Sequence, residues 1–302
     1  MKSRLIIVGF GLIFLMQGFL AKVTAGYHTE SQSGKANPAP GGNLKVESTQ
    51  PISAHPILPD QILKDIRQIE YNDIKYDEES PNYYGFIRGN IPILISAPHG
   101  AMHYRSRENR WKGEDEYTAS LAIELGQLTG AYVLYVKNKT REDPNNDFTS
   151  EYKAALAKAV KQYGIRFVLD LHGSDESRPY KVDIGTIRNG KSCSCPTFRG
   201  TIQKVFSDFE SKVFNQRFCA NDPGTITYFA RNELAIEAAQ VEINAKYRII
   251  ERKPDSCKAK AGIEPHFKAD PKDVVALVAT LQRLILTLDK RMEKKSPELS
   301  AR

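Results

Sequence analysis

Two histidines in this chain each end an apolar run and precede a glycine. His99 follows Ile93-Leu94-Ile95-Ser96-Ala97-Pro98 and leads into Gly100; His172 follows Phe167-Val168-Leu169-Asp170-Leu171 and leads into Gly173. A short apolar run bounded by turn residues fits a buried strand, so both imidazoles would be presented where a strand gives way to a turn. A catalytic zinc takes three protein ligands, commonly two histidines and a carboxylate, and keeps one position open for water. His99 and His172 are therefore candidates for two of the three. Glu114, Asp115 and Glu116 are candidates for the third, and spacing does not select among them. Acidic residues just before Thr118 are also favoured simply by the dipole of the helix that follows.

Two further segments carry chemistry. Arg141, Asp143 and Asn145 share a loop with Pro144. A guanidinium fork, a carboxylate and an amide can together hold an anionic substrate group, although Asp, Pro and Asn are equally the residues of an ordinary turn. Glu242 stands in Gln240-Val241-Glu242-Ile243-Asn244. Its alternation with Val241 and Ile243 puts it on a strand, with its side chain on the opposite face from theirs. Near a metal it would serve as a general base; the plain alternative is a glutamate on the wet face of an amphipathic strand.

The elements that must position these groups read as alternating strands and helices. Asp60 can cap a helix running through Ile62, Ile66 and Ile69. Residues 83–87 and 91–96 flank Gly89-Asn90, a spacing that predicts a hairpin. A helix over 117–128, a strand over 131–136, a helix over 152–163 and a strand over 167–171 follow. Beyond them come a strand over 182–187, a helix over 197–214, a strand over 239–243 and a closing helix over 271–290. This order argues for an α/β sheet with helices on its faces, whose ligands sit outside the carboxyl ends of the strands.

Residues 1–25 have the layout of a signal peptide: Lys2 and Arg4, an apolar run over 5–20, then Val23-Thr24-Ala25 with small residues at the cleavage positions. The apolar run is shorter than the roughly 20 residues of a spanning helix. Cleavage after Ala25 would remove three of the 43 basic residues against 36 acidic ones, taking the formal charge from +7 to +4. That is too mild to argue for nucleic acid, and the basic cluster at 290–295 suits a helix end. Residues 26–58, rich in Ser, Gly, Pro and Asn, read as a flexible linker, leaving a single α/β domain over 59–295. Cys193, Cys195, Cys219 and Cys257 allow three disulfide pairings in an oxidising compartment. A Cys-x-Cys zinc site is the weaker reading, since structural sites prefer a wider spacing and a second pair.

Four ordered blocks, Ile95-Ser96-Ala97-Pro98-His99-Gly100, Arg141-x-Asp143-Pro144-Asn145, Asp170-Leu171-His172-Gly173 and Gln240-Val241-Glu242-Ile243-Asn244, resemble the signature blocks of the N-formylglutamate amidohydrolase family. Asp183-Ile184-Gly185-Thr186 resembles a further segment of it. The resemblance implies a fold like that of zinc carboxypeptidases, with a mixed, mostly parallel sheet, and zinc-dependent cleavage of an amide. It implies His99, Asp115 and His172 as the Zn2+ ligands and Glu242 as the base that activates water. Arg141 and Asn145, with Asp143, would position a small anionic amide or peptide. Where the family has an arginine after its Asp-x-Asn element this chain has Asn146, so that contact to a substrate carboxylate is either missing or supplied by Arg178 or Arg188. The leader points to a secreted or periplasmic protein acting on N-acyl amino acids, small peptides or cell-wall fragments. Two rival classes are a binding protein of the same fold without catalysis and a serine hydrolase using Ser96 or Ser174. The second lacks the Gly-x-Ser-x-Gly elbow.

Overall fold

The computed structural model describes residues 59–295 except 189–190, 193–195, 266 and 268. The signal peptide and linker expected over 1–58, together with Cys193 and Cys195, lie outside the described residues. Cys219 and Cys257 carry free thiols. Among the described residues no helix is long and apolar enough to cross a membrane.

Among the described residues seven strands form the main sheet: β1 (Tyr84–Ile87), β2 (Ile93–Ala97), β3 (Tyr132–Val136), β4 (Phe167–Ser174), β5 (Val182–Gly185), β6 (Lys212–Phe214) and β7 (Glu237–Asn244). Their spatial order is β6-β5-β7-β4-β2-β3-β1. The four central strands β7, β4, β2 and β3 are mutually parallel. β5 and β1 run antiparallel to β7 and β3, and β6 lies parallel to β5 at the far edge. The sheet is thus mixed and mostly parallel. Every residue of β2 and β3 is buried, as a parallel sheet covered on both faces requires.

Alternation along the strands sorts the core into two layers. Ile93, Ile95, Phe167, Leu169, Leu171, Val241 and Ile243 pack on one face, beneath helices α1 (Pro59–Asp73), α2 (Thr118–Thr129), α4 (Pro196–Val205) and α7 (Pro271–Lys295). Leu94, Leu134, Val168 and Ala238 point to the other, beneath α3 (Glu151–Tyr163) and α5 (Ile226–Asn232). A short α6 (Cys257–Lys260) precedes α7. Helix α1 buries Ile62 and Ile66, four residues apart on one face. Helix α2 is buried almost all round because it lies between the sheet, α1 and α7.

Three expectations need correction. The strands on either side of Gly89-Asn90 do not pair as a hairpin, because β3 lies between them. β2, buried at every residue, gains most by sitting in the middle of the sheet, and the Gly89-Asn90 link instead passes over the start of β3: Asn90 N donates to Gly130 O at 2.7 Å. A Cβ at Gly89 would fall 2.3 Å from the same oxygen, so only glycine allows this crossing. The helix placed over 197–214 stops at Val205, and Lys212–Phe214 forms the edge strand β6. Phe206 and Phe209 continue the apolar spacing into the core, but Ser211 takes a left-handed φ of 52° that turns the chain into the sheet. The strand over 182–187 is broken after Gly185. Helix α5 has no counterpart in the sequence reading; Thr225 starts it by accepting from Tyr228 N.

Candidate metal centre and active-site cavity

The carboxyl ends of β2, β4 and β7 meet at one rim of the sheet. β4 and β7 run in parallel register, with Asp170 beside Gln240 and His172 beside Glu242. Residues two apart share a face, so these four polar side chains continue the layer that Val168 and Ala238 begin beneath α3 and α5. His99 lies just past the end of β2. Asp115 belongs to no strand. Its N–H donates to His99 O at 2.8 Å, and its own carbonyl accepts from Thr118 N at 3.1 Å and from Thr118 Oγ1 at 2.7 Å. The start of α2 therefore fixes Asp115 against the His99 turn.

Asp115 Oδ2 lies 3.4 Å from His99 Nδ1 and 3.6 Å from His172 Nδ1. All three ligand atoms fall within 4.8 Å of one another. The far nitrogen of each imidazole meets its own buried carboxylate: His99 Nε2 to Asp143 Oδ1 at 2.8 Å, and His172 Nε2 to Asp170 Oδ2 at 2.9 Å. Carboxylates placed behind histidines in this way hold ring orientation and tautomer in metal sites and raise ligand basicity. Burial opposes charge on Asp115, yet His172 and His99 outweigh it and hold the carboxyl well below its usual range. Burial likewise opposes charge on His172, and Asp170 with Asp115 overrides it, holding that imidazole well above its usual range. Two nitrogens and an oxygen in a carboxylate-rich pocket thus attract positive charge, and they suit a divalent cation.

A second grouping, His99, His103 and Asp143, is also close enough to hold an ion. His103 stacks on His99 with ring centroids 4.0 Å apart. Arg105 Nε already donates to Asp143 Oδ2 at 2.7 Å, so one oxygen of that carboxylate faces a guanidinium.

Glu242 is buried beside His172. Burial raises its pKa, His172 partly offsets that, and the net result is a carboxyl pushed up to about 7. Gln240 Nε2 donates to its Oε1 at 3.0 Å. Neighbouring acids of Asp115 have other partners. Glu114 accepts from Cys257 N at 2.8 Å, and Glu116 takes a bidentate pair of bonds from Arg252 at 3.0 and 3.1 Å.

His99, Asp115, His172 and Glu242 line one cavity of about 440 Å³, whose wall also carries Asn145 and four cations, Arg105, Lys112, Arg178 and Arg217. The structure does not bring Arg141 there. Its side chain is 78% exposed and pairs with Glu79 at 3.5 Å. Asp143 is fully buried behind His99. Asn145 Oδ1 accepts from Ile226 N at 2.7 Å, so this side chain tethers α5 as well as facing the cavity. The side chain of Arg188 lies outside the described residues. Sequence reasoning gives Asp170 no role, though its place two residues before His172 on a strand is the available signal. Arg105 and Arg217 leave no such sign.

No protein-family model matches the chain, and no curated protein matches it. Among solved structures it is similar to N-formylglutamate amidohydrolase from Ralstonia eutropha, at 13% identity and a TM-score of 0.47 over 70% of this chain and 98% of that one. It is similar to a bacteriophage poly-gamma-glutamate hydrolase at 15% identity and a TM-score of 0.37, over 72% and 93% of the two chains. It is similar also to succinylglutamate desuccinylase from Vibrio parahaemolyticus at 13% identity and a TM-score of 0.39, over 70% and 60%.

Proposed function

We propose that this protein is an exported, zinc-dependent amidohydrolase that cleaves an amide bond in a small anionic substrate such as an N-acyl amino acid, a short peptide or a cell-wall fragment. The observation that carries the reading is the convergence of His99 Nδ1, His172 Nδ1 and Asp115 Oδ2 beside the buried Glu242. His99, Asp115 and His172 would hold Zn2+, which suits this donor set, and the bound ion would supply Lewis acidity toward a scissile carbonyl and a water.

The chain's own groups do the rest. Asp143 and Asp170 keep the Nδ1 atoms of His99 and His172 aimed at the site by holding their Nε2 atoms. Glu242, poised near neutrality, takes a proton from the attacking water and returns it to the departing nitrogen, the task for which a base of that pKa is suited. Arg105 is committed to Asp143 and Glu108. Arg178, Arg217 and Lys112 on the cavity wall are left to bind a substrate carboxylate. Export rests on the leader-like residues 1–25.

The test is metal analysis of purified protein alongside His172→Ala, with release of amines from N-acyl amino acids and small peptides measured with and without a chelator. About one equivalent of zinc in the parent, its loss in the variant and chelator-sensitive turnover are expected. Equal metal content in both proteins overturns the reading.

A further inference from the structure

The segments that carry Asp115, His172 and Glu242 meet on a single buried guanidinium. Arg248 is 5% exposed. Its Nε donates to Ile243 O at 3.1 Å, its Nη2 to Ser174 O at 3.5 Å, and its Nη1 to Glu116 O. Ile243 follows Glu242, Glu116 follows Asp115, and Ser174 lies just beyond His172. Charge-assisted bonds from one planar fork therefore fix three main-chain points. The guanidinium also lies against Gly173: a Cβ there would come within 2.5 Å of Nη2 and 2.6 Å of Cζ. This contact explains why glycine follows His172. Arg252, four residues on, grips the carboxylate of Glu116, so the loop bearing Asp115 is held at both carbonyl and side chain.

We propose that Arg248 is a positioning residue that sets Asp115, His172 and Glu242 relative to one another. The proposal deepens the site reading above and rests on it only for the metal measurement. Lysine cannot replace the fork, because one ammonium does not span three carbonyls in a plane. Gly173→Ala should perturb the same element with Arg248 retained, by pushing the guanidinium aside.

The experiment compares the parent chain with Arg248→Met, Arg248→Lys and Gly173→Ala by amide hydrogen exchange without added metal and by Co2+ titration. The Asp115 and Thr118 amides, both hydrogen-bonded in this loop, should exchange at least about tenfold faster in all three variants, with α7 amides unchanged. Co2+ affinity should fall about 10–100-fold, the usual cost of losing a supporting contact behind metal ligands, with an altered visible spectrum. Parent-like exchange at Asp115 and Thr118, or an acceleration spread equally through α7, overturns the proposal. If Arg248→Met fails to fold, Gly173→Ala decides by the same criterion. A parent chain that takes up no Co2+ refutes the metal reading, while the exchange result still decides the role of Arg248.

Discussion

His172 and Glu242 are direct neighbours across the parallel pair β4 and β7, in register and on the same face. The group expected to bind the metal and the group expected to move the proton are thus held at a spacing set by the sheet itself. A glutamine in place of Glu242 would keep that spacing but could not accept a proton. Glu242→Gln is expected to lower kcat about 10²–10⁴-fold and to leave metal content at the parent value by elemental analysis. Loss of the metal in this variant would make Glu242 a ligand and not the base.

Arginine substitutions should separate wall from surface. Arg141 is exposed and paired with Glu79, so Arg141→Ala should leave KM within about twofold of the parent. Arg178 lines the cavity, and a charged hydrogen bond to substrate contributes about 1.5–3 kcal/mol. Arg178→Ala should therefore raise KM tenfold or more for a carboxylate-bearing substrate and much less for its neutral amide. Steady-state kinetics on the two substrates checks this, and equal effects of Arg141→Ala and Arg178→Ala would contradict it.

Glu124 offers a pH test away from the site. It is buried on α2, and its Oε2 has no hydrogen-bond partner among the described residues. Burial, then Asp65, pushes its carboxyl up to about 7 from an ordinary 4.5. A folded-state pKa above the unfolded one means the native chain holds the proton more tightly. Stability linked to this group is then full below pH 4.5 and falls as pH rises through the folded value. Glu124→Gln should melt close to the parent near pH 4.5 and progressively above it up to neutral pH, with no further gain beyond about pH 8. Thermal melts across that range check the direction; a constant offset at every pH counts against it.

Much of this is legible locally. The apolar runs before His99 and His172 announce two central strands, and the alternation around Glu242 announces a third. What the residues do not announce is pairing. The Gly89-Asn90 link looks like a hairpin turn, yet partner choice depends on which strand gains most from central burial, a property of the whole sheet. Helix α4 reads too long because Phe206 and Phe209 keep helical spacing after the helix has ended. The choice among Glu114, Asp115 and Glu116 stays open in the sequence for a similar reason: Arg252 and the Cys257 amide engage two of them from distant parts of the chain. Arg141 matches its motif but not the cavity, since a loop motif fixes the order of residues and not the direction of a long side chain.

The sheet ends in β1 on one side and β6 on the other, strands of four and three residues. Its longest strands, β4 and β7, each of eight residues, have neighbours on both sides. Such an arrangement offers a second copy little unpaired backbone on which to extend the sheet. Among the described residues β7 is the last strand in sequence, so the sheet closes only when it inserts between β4 and β5, and until then β4 and β5 each keep an unpaired edge on which another chain could extend.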